Sequence, residues 1–254
     1  KGPAAERLFA GRGVTTFLNG WKLKSQKLSK TKEILAPARY TRWEANMDYA
    51  RLSMPIGEAI FTQRSIRRFR PAPIPLEHIR LIIEAAVRAP NGGNSQIARF
   101  LVLTDRDVIR RFGALYREAW WAKRLDEKRG WTKPEDIPPE EKSYRSAARL
   151  ADEMQDVPAI VLAYGMPPGS ANSVIPAVQN LMLAARALGI GSVPTTLHPK
   201  VVDRVTALLG IPKDATFHFC VPLGYPPGSF RPNNRRPTSE TTFLNRWGAA
   251  VPWT

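Results

Sequence analysis

Two short polar stretches carry side chains suited to a phosphate and a flat heterocycle. Gln63-Arg64-Ser65-Ile66-Arg67-Arg68-Phe69 places three arginines and a serine within five residues. APNGGNSQ, starting at Ala89, is a small glycine-containing loop between a helical pattern and a strand pattern. A dianionic phosphate needs several cationic donors in one place, and arginine presents a planar fork of them. A flat heterocycle needs backbone and amide groups that approach closely, which glycine and short amides allow.

Other chemistries lack their residues. His78, His198 and His218 are isolated in sequence, and no nucleophilic serine motif accompanies them. His78 falls on a helical pattern and His218 within a strand, where structural roles are expected. His198 directly follows Pro194-Thr195-Thr196-Leu197 and is the more interesting of the three. Metal catalysis and triad hydrolysis are therefore not indicated. Gly189-Ile190-Gly191 follows a helix and precedes a strand, the reverse of the dinucleotide-binding order. There is no Walker loop, and Gly11-x-Gly13 alone does not make a nucleotide loop. The single cysteine, Cys220, excludes an intrachain disulfide and reads as an inert buried strand thiol.

The elements that must position the polar stretches follow from periodicity. Pro55 to Gln63 suits a short helix with Ile56, Ile60 and Phe61 on one side. Ile74-Pro75 opens a second helix, with Ile79, Ile82, Ile83 and Ala86 at helical spacing and Pro90 at its end. Phe100 to Leu103 reads as a buried strand. Asp105 is placed to cap a helix that runs towards Trp120. Residues 122–142 are charged and interrupted by Pro134, Pro138 and Pro139. A helix from about Tyr144 to Met154 and a buried strand from Val157 to Ala163 follow. The next helix begins near Ser173, with Pro176 expected in its first turn and Gly189 at its end. A strand at Ser192-Val193, a helix over Val201–Leu209 and a long strand over Thr216–Leu223 complete the pattern. The tail from Pro226, with Phe243, Trp247 and Trp253, is expected to lie across another surface. Strands separated by more numerous helices predict a layered α+β domain with a small mixed sheet.

A chain of 254 residues with 43% hydrophobic content can bury a real core in one α/β domain. Nothing approaches a bilayer-spanning apolar run, and the start lacks the layout of a secretory signal, so a cytoplasmic protein is expected. Residues 1–46 hold ten Lys/Arg against three Glu and contribute +7 of the formal +16 charge. They read as a basic extension, disordered or not native, with the compact domain over 47–254 and Met47 as a natural start. The charge raises nucleic acid or an acidic membrane as partners, but no nucleic-acid-binding motif accompanies it.

Over roughly residues 50–250 the chain resembles the nitroreductase-like FMN-dependent oxidoreductases. The resemblance rests on the Arg-rich opening motif, APNGGNSQ, GIGSVPTTLH and Asn234-Arg235-Arg236-Pro237, in that order. It implies an intertwined homodimer with the flavin site built from both subunits. It implies phosphate contacts from Arg64, Ser65 and Arg67 or Arg68, joined by Arg235 and Arg236. Pro90, Asn94 and Gln96 would touch the flavin or its ribityl chain. Pro194, Thr195, Thr196 and Leu197 would pass backbone across the flavin face, with a main-chain N–H directed at N5. A lid over about 113–155 would set substrate choice, with Tyr116, Trp120 and Trp121 facing the substrate or packing in the core. NAD(P)H would reduce FMN, and a nitroaromatic or quinone-like acceptor would then enter the same pocket, so no catalytic side chain and no metal is required. Two positions depart from the pattern. Gln63 stands where many members carry a first arginine, and GSVPTTLH lacks the acidic residue that some place beside N5. Relatives also include reductive dehalogenases and flavin-cleaving enzymes, and no acid–tyrosine–lysine arrangement for deiodination is evident in the lid. A basic nucleic-acid or membrane-surface binding protein using the 1–46 arm is the reading from another class.

The phosphate assignment has a direct test. A charge-assisted hydrogen bond contributes about 1.5–3 kcal/mol, so Arg64→Ala and Arg235→Ala should each weaken FMN about tenfold to a hundredfold. Riboflavin, which lacks the phosphate, should respond far less when the dissociation constants are compared by fluorescence quenching. Parent-like FMN affinity in both variants would sink the assignment.

Overall fold

The computed structural model describes residues 49–167 and 171–253. The expectations on residues 1–46, including Gly11-x-Gly13, and on Met47 lie outside them. The centre is a four-stranded sheet in the order β1-β2-β4-β3, formed by β1 (Ala98–Leu103), β2 (Ala159–Gly165), β3 (Gly191–Ser192) and β4 (Thr216–Gly224). Every ladder between these strands is antiparallel. The parallel part of the expected mixed sheet is small: among the described residues it is a single bridge between Ser65 and Ser192.

Helices cover both faces. Ile160, Leu162 and Tyr164 of β2 point to one side, where they share a core with α3 (Arg106–Asp126), α4 (Lys142–Glu153) and α6 (Pro199–Leu209). Ala159, Val161 and Ala163 point to the other, against α2 (Leu76–Val87) and α5 (Ala171–Ala187). β2 is buried at all seven positions, which is why it is a continuous apolar run. β1 lies at the edge, so of Phe100 to Leu103 only Leu103 is buried, against the expectation for that segment.

Local chemistry explains the boundaries. Asp105 caps α3 by accepting hydrogen bonds from the N–H groups of Asp107 and Val108, each at 2.9 Å. Gly189, at φ 71°, ends the α5 turn in the left-handed region. Pro176 stands inside α5, whose first residue is Ala171. It therefore falls in the second turn rather than the first and removes one helical hydrogen bond. Pro222 sits in the central strand β4, opposite Ile160. Its neighbour of the same parity, Cys220, exchanges both backbone hydrogen bonds with Thr195. The missing N–H of Pro222 thus faces the side where the chain after β3 diverges from the sheet, and no ladder bond to β2 is lost.

Apolar side chains of α1 and of the far tail are open in the single chain. On α1 (Ile56–Thr62) the buried residue is Ala59, whereas Ile56, Ile60 and Phe61 are 67%, 50% and 69% exposed. The tail crosses α1 and α5 only as far as Asn233. Beyond it, α7 (Thr238–Thr241) is exposed, and Trp247, paired with Phe243 at 4.6 Å, is 90% exposed.

Close crossings depend on missing side chains. A Cβ at Gly113 of α3 would lie 2.6 Å from the backbone nitrogen of Gln155. Gly113→Ala should therefore destabilise the fold by about 1–3 kcal/mol, read as a lower urea midpoint with unchanged slope. An unchanged midpoint would contradict this packing.

Candidate functional site

The opening motif forms a fifth, outermost segment of the sheet. The N–H of Ile66 donates to Ser192 O at 3.0 Å, and that of Arg70 donates to Tyr225 O at 2.8 Å. Two glycines let it lie so close. A Cβ at Gly191 would meet Ile66 at 2.7 Å, and one at Gly224 would meet Phe69 at 2.7 Å. Gly191, set aside as a nucleotide-loop glycine, thus has a packing role at the motif itself, as does Gly224, which sequence reasoning missed.

The structure gathers some of the expected phosphate residues. Arg64 and Ser65 are exposed, and their side chains make no hydrogen bond or ion pair among the described residues. Gln63 turns inward, donating from Nε2 to Met182 Sδ at 3.6 Å. The tail reaches this point through Asn233, whose N–H donates to Phe61 O and whose Nδ2 donates to Gln63 O, both at 3.1 Å. Arg235 and Arg236 follow two and three residues later, both exposed.

Arg67 parts company with Arg64. It is half-buried towards the Tyr116 phenol, and loss of solvent holds its guanidinium below the usual arginine range. Arg67 and Arg68 line a cleft of about 270 Å³ opposite Glu153 and Asp156.

The segment Pro194–Leu197 runs beside the motif along the same edge. Thr195 exchanges two backbone hydrogen bonds of 2.8 Å with Cys220. The N–H groups of Thr196 and Leu197 have no partner among the described residues. Thr195 Oγ1 is buried without a partner in good geometry, next to the Tyr116 phenol and the Cys220 thiol. Burial raises the Tyr116 phenol well above the ordinary tyrosine range. It also pushes the Cys220 thiol up to about 12, in keeping with an inert thiol. His198 closes the segment: its Nδ1 accepts from the Lys200 N–H at 3.3 Å, capping α6, and its Nε2 lies 2.8 Å from Asp126 Oδ2 at the end of α3. His218 is the unmatched residue of a β-bulge in β4, with a buried ring nitrogen lacking a partner, and desolvation lowers its pKa.

The APNGGNSQ loop lies elsewhere. Asn91 Oδ1 accepts from the Gln96 N–H at 2.8 Å, and the Gly92 N–H donates to Ser173 Oγ at 3.2 Å. These bonds hold Gly93, Asn94 and Gln96 at φ 58°, 52° and 49°, in the left-handed region. Pro90 and the amides of Asn94 and Gln96 are exposed, and those amides bond to no described residue. Asn91 and Ser173 were not singled out in the sequence, although an asparagine before Gly-Gly is a turn signal. By register, this loop precedes β1 at the row Ala98–Gly165–Thr216, whereas Ser65 joins the row Ser192–Leu223–Ala159 at the far edge. The two parts occupy opposite corners of the sheet.

Of the lid residues, Tyr116 and Trp120 are 3% and 9% exposed in the core under α4 and α6, and Trp121 is half-buried against them. The structure places the first two in the packing role that the sequence left open. The lid's charged groups engage one another. Arg124 donates to Glu127 at 2.9 Å and stacks 4.7 Å from the Trp120 ring, while Arg129 donates to Tyr144 Oη at 3.1 Å.

Residues 60–225 match the model of the nitroreductase family. The chain belongs to that family. It is 32% identical over 197 residues to an NADH dehydrogenase of Thermus thermophilus, covering 73% of this chain and 93% of that protein. It is 29% identical over 177 residues to an iodotyrosine deiodinase of Thermotoga neapolitana, covering 65% and 84% respectively. Its fold is like that of the FMN-dependent nitroreductase of Mycobacterium smegmatis solved with NADPH, at 22% identity and a TM-score of 0.57, over 78% of this chain and all of that one (100%). As a nitroreductase-family member the chain is an oxidoreductase, with the α+β sheet and flanking helices of that fold. No helix among the described residues is long and apolar enough to cross a membrane.

The buried acids of this edge set an alkaline limit. Cys220 titrates near 12 when folded against 9.0 for an ordinary thiol, so between those values the unfolded chain releases a proton that the folded one keeps. Stability is then intact below pH 9 and falls as pH rises towards 12. Tyr164, raised from 10.0 to about 12, acts in the same direction. The melting temperature should drop across this window, and Cys220→Val should flatten part of the drop. A flat profile in the parent would contradict the burial of these groups.

Proposed function

We propose that this chain is an FMN-dependent NAD(P)H oxidoreductase, working as a homodimer on a nitroaromatic or quinone-like acceptor. The observation that carries this reading is the edge of the sheet at Ser65. There, exposed guanidinium and hydroxyl donors of Arg64 and Ser65 stand beside the N–H groups of Thr196 and Leu197, none of them with a partner among the described residues. A phosphate ester of a flat heterocycle matches both halves of that donor set. Arg64, Ser65, Arg235 and Arg236 would hold the phosphate. Pro194–Leu197 would lie against the ring, with the Thr196 and Leu197 N–H groups as the available donors. Arg67, turned inward, would place its cation at the ring rather than the phosphate. When bound, FMN supplies the hydride exchange at N5, from NAD(P)H and then to the acceptor, in a ping-pong sequence. The protein's own work is positioning and exclusion of water.

Sheet geometry supports two copies. From Ser65 to β1 there are four strand spacings of about 4.8 Å, and from the Ala159 row to the Gly165 row six residues of about 3.3 Å, so the corners are roughly 28 Å apart. One flavin cannot reach from Arg64 to Asn94 across that distance within one chain. A second chain supplying Pro90, Asn94 and Gln96 resolves this. The exposed apolar side chains of α1 and the tail, Ile56, Phe61 and Trp247 among them, are surface that such pairing would bury.

The deiodinase relative keeps a dehalogenating chemistry as the second reading. Against it, Glu127, Arg129 and Tyr144 of the lid are engaged with one another rather than free to hold a zwitterion. The basic-arm alternative concerns residues 1–46, outside the description.

Anaerobic titration of the yellow protein with NADPH or NADH should bleach the flavin, and a nitroaromatic or quinone should restore it. A colourless protein that takes up no FMN would end this reading. The two-copy site is tested by mixing Arg64→Ala chains with Asn94→Ala chains. Each homodimer should bind FMN weakly, and the re-equilibrated mixture should regain tight sites, one per mixed dimer. A mixture that behaves as the average of its parts would reject the shared site.

A further inference from the structure

The tail is joined to the opening motif by a second device, centred on Arg186 of α5. This arginine is 8% exposed. Its Nε donates to Thr62 Oγ1 at 2.8 Å, and its NH2 group donates to Glu58 Oε1 at 3.2 Å, so it bonds twice to α1, the helix that leads into the motif. Its guanidinium also lies 4.2 Å from the centre of the Phe230 ring, at the start of the tail. Three residues on, Asn233 bonds to Phe61 O and Gln63 O. A buried cation that is both hydrogen-bonded and stacked has its orientation fixed, because leaving either partner exposes a charge to an apolar site. We infer that Arg186 and Asn233 are positioning residues that make the C-terminal tail a working part of the anion site, by fixing Arg235 and Arg236 against Arg64 and Ser65.

The physical need is plain. Arg235 and Arg236 lie 171 and 172 residues after Arg64, on a tail with no regular structure between β4 and α7. Left unattached, their guanidinium groups would sample many positions, and the entropy of ordering them would oppose every contact with an anion. Arg186 holds the entrance of the tail to α5 and α1, and Asn233 pins the backbone directly before the arginines. Binding then meets a cluster already assembled. Neither residue needs to touch the anion. Asn233 spends its donors on carbonyls of the motif, and Arg186 is occupied by Glu58, Thr62 and Phe230.

This inference rests on the flavin reading, and the test separates the two. The affinities of FMN and riboflavin are measured for the parent, Asn233→Ala, Arg186→Met and Arg186→Lys, together with hydrogen exchange of the amides over 230–236. Asn233→Ala and Arg186→Met should weaken FMN about tenfold, the value of one or two net hydrogen bonds, and speed exchange in the tail. Riboflavin should shift less than about twofold. Arg186→Lys, which keeps the cation, should recover part of the FMN loss. Asn233 lies in the tail and half-exposed, so its variant reports even if Arg186→Met does not fold. Faster exchange with an unchanged ratio of FMN to riboflavin affinity would show a purely structural clasp and overturn the inference. Equal loss for both ligands would do the same. A parent that binds neither flavin would instead overturn the flavin reading beneath it.

Discussion

The arrangement depends on one close contact, the main-chain pairing of Ser65-Ile66 with Ser192 at the outer edge of the sheet. The 3.0 Å backbone hydrogen bond sets the segment at ordinary strand spacing, and the Ile66 and Phe69 side chains then fill the places where a Cβ of Gly191 or Gly224 would stand. Without that pairing the arginine-rich segment would be a charged loop of no fixed direction. With it, Ile66 and Phe69 anchor the segment on the sheet, Arg64 and Ser65 are left outward, and Arg67 is turned in towards Tyr116. The charge pattern of the motif is thus sorted into an exposed side and a buried side by where its apolar residues can pack.

The same edge explains why the segment after β3 is irregular. Pro194 and Pro222 both withhold an N–H, and the sheet ladder lapses between Ser192 and Thr195 before resuming as the Thr195–Cys220 pair. Past that single pair, the N–H groups of Thr196 and Leu197 have no partner among the described residues. Beneath it, α3 supplies a floor of Tyr116 and Trp120, and His198 fastens the segment to both α6 and Asp126. Rigid backing of this kind keeps loop donors pointed at one place rather than at solvent.

A different economy governs the APNGGNSQ loop. Left-handed backbone at Asn94 and Gln96, on either side of a right-handed Ser95, is unfavourable for asparagine and glutamine, and it persists because Asn91 and Ser173 tie down the loop. The strained residues, Asn94 and Gln96, are those whose side-chain amides are exposed and have no partner among the described residues. Strain at exposed, uncommitted amides fits a surface meant for something outside this chain, as does the apolar side of α1 left open to solvent.

Much of this was legible from residue types alone. Asp105, Gly189, the seven-residue apolar run of β2 and the stripe of α2 each follow from local rules of capping, termination and periodicity, and they needed no tertiary partner to be recognised. The two polar stretches could likewise be located from composition, while the ligand assigned to them came from the resemblance to the nitroreductase-like enzymes. What the chain could not disclose by itself were distances between remote segments. That Gly191 and Gly224 serve the motif 120 residues and more away, that Asn233 and Arg186 hold the tail to it, and that Asn94 lies at the opposite corner of the sheet are facts of strand order. The edge position of β1 and the burial of Tyr116 and Trp120 were equally undecidable, because an apolar residue facing a core and one facing a ligand obey the same pattern. Periodicity fixes which side of an element is apolar; only packing decides what that side meets.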